Sequence, residues 1–377
     1  MELLNLLKNY KLSKRSGLFT TPSHSGRGYG LFSKLIGQKP FLYDFSEIDG
    51  FDNIRNPQGA LLIAQKEAAE VYQARDSFFL YNGSTSGILA LMLSSLKPND
   101  KVIIPTNCHI SVLNGLVLSK AEGVFVEPEY DEDFDVPMPL KLDEIKKVFA
   151  ENPDAKMLIL TNPTYEGMVA EISHIADFCN ENKIILIVDE AHGALWNFSS
   201  KLPNSAILEG ADAVVQSLHK TAGALTQSSI LHLSSKSRLS TNDIQKALNL
   251  INSTSPSYLL LASIDNVVSF LSSDKGMKEL DDILLKIIKF REKISRFESI
   301  KLLQNGDFTK IFLKVEGLLA EELSDKLAAF GIEDEKITSK GVLLLMGLGT
   351  TDKKLKKLEK ALNKINKLAK KNCFEDN

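Results

Sequence analysis

Ile184-Ile185-Leu186-Ile187-Val188 is an unbroken apolar run, mostly β-branched, with no polar member to face water. A strand with that pattern has to be covered on both faces. It is one of a series: 77–81, 101–105, 123–126, 157–161 and 213–215 also read as short apolar strands. Helical patterns fill the gaps at 84–96, 110–119, about 140–150 and 171–182. Strands that alternate with helices predict a mostly parallel sheet with helices on both faces, because parallel neighbours need a crossover and the crossover covers the sheet. Ligands of such sheets gather at the carboxyl ends of the strands.

The remaining chain extends this plan. Pro57 stands where a helix can start, and Leu61, Leu62, Ala68, Val71 and Tyr72 give that helix an apolar face. A strand at 230–233 precedes a helical region over 239–296, whose longest parts are 257–273 and 279–296. A second, smaller α/β unit follows, with a strand at 310–315, a helix at about 319–330, a strand at 342–346 and a final helix from Asp352. At 377 residues the chain exceeds one small core, and its 44% hydrophobic content supplies two. The expected parts are an N-terminal arm and active-site loop (1–50), a large domain (51–275) and a small C-terminal α/β domain (276–377). Residues 1–17 read as a short amphipathic arm suited to covering a partner surface more than to making a core.

Several function classes are disfavoured. A net charge of -3 gives no global attraction to nucleic acid. The final helix sets Leu355, Leu358, Leu362, Ile365 and Leu368 on one stripe, with nine lysines from Lys353 to Lys371 elsewhere. It reads as a docked helix with a solvated face, since aromatic interleaving and a base-reading module are missing. No apolar run approaches the roughly 18 residues of a membrane span, and Lys8 interrupts Leu3, Leu4, Leu6 and Leu7 too early for a signal-peptide core. Cys108, Cys179 and Cys373 form no CxxC pair, so a reducing cytoplasm is expected, with neither a disulfide framework nor a zinc site. Asp131-Glu132-Asp133-Phe134-Asp135 begins like a calcium loop but has Val136 where glycine is required and Leu142 where the closing Glu belongs. No metal is expected.

The chemistry lies at the strand ends. Gly83-Ser84-Thr85-Ser86-Gly87 offers hydroxyls and free backbone N–H groups at a helix start, a cradle for phosphate. It lacks the Gly-Lys-Ser/Thr ending of a Walker loop. In Asn107-Cys108-His109 the imidazole can stack on a flat heteroaromatic ring. Asp189, in Asp189-Glu190-Ala191-His192-Gly193, is a carboxylate at the end of a buried strand, costly to desolvate without a cation such as a protonated pyridine nitrogen. Asn162 of Thr161-Asn162-Pro163-Thr164-Tyr165 can bond a ring hydroxyl. Ala213-Val214-Val215-Gln216-Ser217-Leu218-His219-Lys220 presents an amine at a strand end among small and hydroxyl residues, as needed to meet a bound aldehyde. Phosphate anchor, ring stacker, ring-nitrogen partner and aldehyde-binding lysine together point to pyridoxal 5'-phosphate (PLP) on Lys220.

The sequence resembles the fold-type-I PLP enzymes and, within them, the bacterial ornithine/lysine/arginine decarboxylase family. Besides the motifs above, Thr21-Pro22-Ser23-His24, Asn56-Pro57-Gln58-Gly59, Glu166-Gly167, Thr221 and Ser253-Thr254-Ser255-Pro256-Ser257-Tyr258 carry the resemblance, in the family's order. It implies Lys220 as the cofactor-bearing lysine, Asp189 on the ring nitrogen, His109 on the ring face and His192 on the ring hydroxyl. Ser84, Thr85, Ser217 and His219 would hold the phosphate, joined by Thr254 or Ser255 of a neighbouring subunit, so an obligate homodimer with shared active sites is implied. Lys220, His109 and Asp189 are the expected catalytic residues, and the large domain is the one expected to bind PLP. The chain departs from the family in having Ile110 and Ser25 where basic residues are usual, and family members extend further into a C-terminal domain.

The reaction depends on which bond at Cα is held perpendicular to the cofactor ring. Aminotransferases of this fold typically pin the substrate carboxylate with an arginine from the small domain. Here Arg15, Arg27, Arg55, Arg75, Arg238, Arg291 and Arg296 all precede Phe297. Decarboxylation of arginine, lysine or ornithine to a polyamine or polyamine precursor is therefore expected, with Arg238 or Arg27 left as carboxylate partners and Lys220 as a proton carrier. Glu47, Asp49 and Glu166 are the acidic candidates for the substrate's cationic side chain. The alternatives are an aminotransferase or lyase of the same fold, or a catalytically silent relative with a binding role.

Overall fold

The computed structural model describes residues 1–10 and 19–375. The chain opens with α1 (Glu2–Asn9), α2 (Gly30–Ile36), α3 (Lys39–Tyr43) and α4 (Ala60–Val71). Strand and helix then alternate through β1 (Asp76–Leu80), α5 (Gly83–Ser95), β2 (Lys101–Pro105), α6 (Ile110–Ser119) and β3 (Glu122–Val126). A short ribbon, β4 (Tyr130–Asp131) with β5 (Val136–Pro137), leads to α7 (Leu142–Glu151), β6 (Met157–Thr161), α8 (Ile172–Glu181) and β7 (Ile185–Asp189). Next come β8 (Ala213–Gln216), the one-turn α9 (Leu218–Thr221) and β9 (Ser229–Leu233), then α10 (Thr241–Ile251), α11 (Tyr258–Leu271) and α12 (Asp274–Ile294). The chain closes with β10 (Ile300–Leu302), β11 (Lys310–Val315), α13 (Ala320–Ala329), β12 (Lys336–Ile337), β13 (Val342–Leu345) and α14 (Asp352–Glu375).

Seven strands form the main sheet in the order β1-β9-β8-β7-β6-β2-β3. It is mostly parallel, as the alternation predicts, and only β9 opposes its neighbours. Side chains two apart share a face. Val102, Ile104 and Val215 pack with Ile88, Leu91 and Met92 of α5, while Ile103, Leu158 and Val214 pack with Ile145 of α7 and Ile172 and Ile175 of α8. Both faces are thereby covered. In register Asp189 lies opposite Val215, so the carboxyl ends of β7 and β8 open side by side.

Two expectations about the N-terminal region need correction. Leu3 and Leu7 of α1 are buried in the core that contains Leu61 of α4 and Leu261 of α11, so this helix is core-forming and not a surface arm. Its free N–H groups explain the docking, because Leu3 and Leu4 donate to Asp265 Oδ2 of α11 at 2.8 and 3.3 Å. The rest of the expected arm, residues 11–17, lies outside the described residues. Helix α4 begins at Ala60, not at Pro57: Asp52 Oδ1 and Oδ2 accept from the Gly59 and Leu61 amides at 2.7 and 2.6 Å and set its first turn there.

A four-stranded antiparallel sheet, β10-β11-β13-β12, follows α12. The apolar stripe of α14 docks as expected through Leu355, Leu358, Leu362 and Ile365, but Leu368 is exposed and Ala361 and Ala369 complete the buried face. Lysines of α12 and acids of α14 also pair, Lys286 with Asp352 and Lys293 with Glu359. No described helix is long and apolar enough to cross a membrane.

Candidate functional site

The carboxyl ends of β1, β2, β6, β7 and β8 surround a cavity of about 620 Å³. On one side Gly83 adopts φ +74°, a conformation open to glycine, and turns the chain from β1 into α5. The first turn of α5 has no side-chain cap, so its amides, with Ser84 and Thr85, present donors to the cavity. Ser217, at the end of β8, donates from Oγ to Ser84 Oγ at 3.0 Å and ties the two walls together. Gly87 lets them approach: a Cβ there would meet Leu80 Cδ1 at 2.8 Å and Val215 Cγ1 at 2.9 Å.

Asp189 sits at the floor. It is 4% exposed, accepts from the Ala191 amide at 3.1 Å, and has no ion-pair partner within 4.0 Å among the described residues. Burial pushes its carboxyl above the usual range, opposed by the Lys220 and His109 charges. Lys220, on α9, brings Nζ to 2.9 Å from His192 Nε2. Burial draws its ammonium below the usual value, with Asp189 and Glu335 pulling the other way. His192 is held well below the ordinary imidazole range by burial and by the neighbouring Lys220 and Lys310 charges, so it is neutral and accepts from the amine. Its Nδ1 is buried without a partner. The Tyr165 ring lies 4.4 Å from that of His192.

His109 is the N-cap of α6; its Nδ1 accepts from the Ser111 amide at 3.2 Å and leaves the ring at the cavity wall. His219 Nδ1 donates to the Ser228 carbonyl at 3.0 Å, which turns Nε2 into the acceptor, and burial lowers its pKa. Ser84, Thr85, His109, Asp189, His192, Ser217, His219 and Lys220 thus all line one cavity.

Other expected residues lie elsewhere. Thr254 and Ser255 are exposed ahead of α11 and do not line the cavity. Asn162 also lies outside it, because its Oδ1 accepts from the Ala170 amide at 2.8 Å. Glu47 is spent on the Ile54 amide at 2.8 Å. Glu166 does reach the wall, but its Oε1 is 2.8 Å from Lys336 Nζ. Arg238 is no carboxylate clamp: it forks onto Asp212, with Nη2 2.5 Å from Oδ2 and Nε 3.2 Å from Oδ1. Arg27 stands over the Tyr29 ring. Arg15 lies outside the described residues.

The structure adds residues that motif reading missed. Lys336 enters the wall from β12. Beneath the site, Lys310 Nζ donates to the His192 carbonyl and to Asp307 Oδ2, both at 2.6 Å, and Trp196 Nε1 donates to the same carboxylate oxygen at 2.9 Å. The lone tryptophan, four residues past His192, was the one sequence cue to this arrangement.

Comparison with known proteins fits this geometry. The chain is 38% identical over 275 residues to the uncharacterized protein YaaO of Bacillus subtilis, covering 73% of this chain and 57% of that protein. It is 32% identical over 369 residues to an arginine decarboxylase of the same organism, covering 94% and 75%. A lysine decarboxylase A from Pseudomonas aeruginosa shares the fold with TM-score 0.82 at 19% identity, over 100% of this chain and 60% of that one. The chain therefore spans less than two thirds of the length of some of its relatives. Residues 3–316 match the family model described as the Orn/Lys/Arg decarboxylase major domain, and the chain belongs to that family.

Proposed function

We propose that this chain binds PLP through Lys220 and decarboxylates a basic amino acid, releasing carbon dioxide and a polyamine or polyamine precursor. The observation that carries the reading is a half-buried amine, Lys220, and a buried carboxylate without an ion-pair partner among the described residues, Asp189, in one cavity at the carboxyl ends of adjacent strands. A protonated ring nitrogen is the partner such a carboxylate lacks. The hydroxyls of Ser84, Thr85 and Ser217 suit a phosphate, His219 lines the same cavity beside them, and His109 suits the ring face. Thr254 or Ser255 would reach the phosphate from a neighbouring subunit of a homodimer, with the large domain (51–275) as the PLP-binding part.

When bound, PLP supplies an electron sink conjugated to the substrate's Cα. The protein's own share follows from its side chains. Burial favours the free-amine form of Lys220, the form able to attack an aldehyde. His192 stays neutral and its Nε2 accepts a hydrogen bond from Lys220 Nζ at 2.9 Å, which orients the amine so that Lys220 can carry a proton to or from Cα. No arginine lines the cavity among the described residues, which favours losing the substrate carboxylate over holding it for transamination. Arginine is the first substrate to test, because a relative at 32% identity is named an arginine decarboxylase; lysine and ornithine follow. The products would be agmatine, cadaverine or putrescine, and the expected compartment is the cytoplasm.

The test is carbon dioxide release from arginine, lysine and ornithine by purified protein with PLP, wild type beside Lys220→Ala. The wild type should be yellow and active, and the variant colourless, inactive and refractory to borohydride trapping. A Lys220→Ala protein that keeps its activity removes the reading.

A further inference from the structure

We infer that Lys336 is the cation that receives the substrate's α-carboxylate; this rests on the PLP-decarboxylase reading and deepens it. The cavity has two lysines in its wall, Lys220 and Lys336. Lys220 has its amine beside His192, and the two histidines that could offer charge, His109 and His219, have one ring nitrogen each committed to Ser111 and to the Ser228 carbonyl. Lys336 is the cation left over.

Its setting fixes it in place. Glu166, with 1% of its side chain exposed, takes one of the ammonium's three donors at 2.8 Å, while Lys336 itself keeps 41% of its side chain exposed. No other hydrogen bond of Lys336 Nζ is found among the described residues, so its remaining donors are open to a ligand. Both amines lie near the Tyr165 ring, Lys336 Nζ 5.0 Å and Lys220 Nζ 5.8 Å from its centre. Tyr165 is in turn held by Glu335, the residue before Lys336, through a 2.6 Å hydrogen bond from its hydroxyl. An amino acid bound in the cavity beside Lys220 therefore faces a wall whose open cation, among the described residues, is Lys336.

The chemistry explains why a lysine suits this place. A bidentate arginine grips the ground-state carboxylate and raises the barrier to losing it, because only interactions stronger in the transition state accelerate the reaction. A single ammonium, partly neutralised by Glu166, orients the carboxylate by one contact and opposes its discharge as carbon dioxide less.

The test compares each amino acid with its own amine product, which has the same side chain and no carboxylate. The affinity of the PLP-loaded protein for arginine and agmatine (or lysine and cadaverine) is read as the KM of the amino acid and the inhibition constant of the amine where carbon dioxide is released, and by calorimetry where it is not, for wild type, Lys336→Met and Lys336→Arg. Lys336→Met should weaken amino-acid binding by about 10- to 100-fold, the worth of one charge-assisted hydrogen bond, and change amine binding by less than about twofold. Lys336→Arg should restore amino-acid binding. Because Lys336→Met leaves Glu166 buried alone, the neutral double variant Glu166→Gln/Lys336→Met is measured too and should show the same selective loss. Equal weakening of acid and amine, or no weakening of either, overturns the assignment. If wild type releases carbon dioxide while Lys336→Met binds the amino acid normally, the assignment falls and the decarboxylase reading stands. If wild type releases none while the loss remains selective for the carboxylate, the assignment holds and the reading falls.

Discussion

Replacing Asp307 with Asn tests whether the buried pair below the site is structurally costly to break. Asp307 and Lys310 each expose 1% of their side chains and lie 2.6 Å apart. Asp307 accepts from Trp196 Nε1 at 2.9 Å, Thr309 N at 3.0 Å, Thr309 Oγ1 at 2.5 Å and Lys310 Nζ; Lys310 donates also to the His192 carbonyl at 2.6 Å. Removing the negative charge leaves a buried ammonium uncompensated, at a cost of about 3–5 kcal/mol. Lys310→Met should cost less, because the carboxylate it leaves behind keeps the tryptophan and threonine donors. Burial alone would raise the Asp307 carboxyl, but the Lys310 charge and these hydrogen bonds outweigh it and hold it below the usual range. A lowered carboxylate contributes stability above the unfolded-state value, about pH 4, and loses it as pH falls through the lower folded value. Urea titrations of the PLP-loaded proteins from pH 7 to pH 3 should show the gap between wild type and Asp307→Asn at its full size at pH 7 and closing in acid. A difference below about 1 kcal/mol at pH 7, a gap independent of pH, or a larger loss in Lys310→Met refutes the reasoning.

Gly87→Ala should destabilise by about 1–3 kcal/mol through overpacking, since its Cβ would fall 2.8 Å from Leu80 and 2.9 Å from Val215, and a denaturation midpoint measures it. The same substitution should weaken PLP binding, because Val215 lies on the strand that delivers Ser217; unchanged stability and unchanged affinity would count against the close approach of α5 and β8. Glu190 is fully buried, and burial raises its carboxyl to about 8 against the opposing hydrogen bonds of Ala206, Ser205 and Gln216. A raised acid stabilises the fold below the unfolded-state value and loses that contribution as pH climbs through about 8. Glu190→Gln should therefore gain on wild type as pH rises from about 4 to 8, by up to about 1.4 kcal/mol per unit, and a constant difference across that range would contradict the shift.

What the sequence shows of this site, and what it hides, follows from how local each signal is. The strands of the main sheet were legible because apolar runs such as Ile184-Ile185-Leu186-Ile187-Val188 can be buried in few ways, and Asp189 and Lys220 were legible because each sits at the end of one. Strand direction was not: β9 is buried like its neighbours yet runs antiparallel to β8 and β1, and nothing in its own apolar residues marks the reversal. Motif position also hid how side chains are spent. Asn162 stands at a strand end like Asp189, yet the fold satisfies its Oδ1 with the amide of Ala170, eight residues on. His109, read as a ring stacker, caps a helix and faces the cavity at once, two roles a sequence cannot separate. Lys336 was hidden more deeply, on a two-residue strand among nearby charges in Glu333-Asp334-Glu335-Lys336, 116 positions from Lys220. Nothing local separates that lysine from a solvated one; only Glu166 and Tyr165, brought from β6's far end, turn it toward the cavity. The arginine count pointed the right way for the same reason. Composition showed that no arginine follows Phe297, but the cation that takes that place on the wall is identified by packing, through a carboxylate buried where only a partner makes it tolerable.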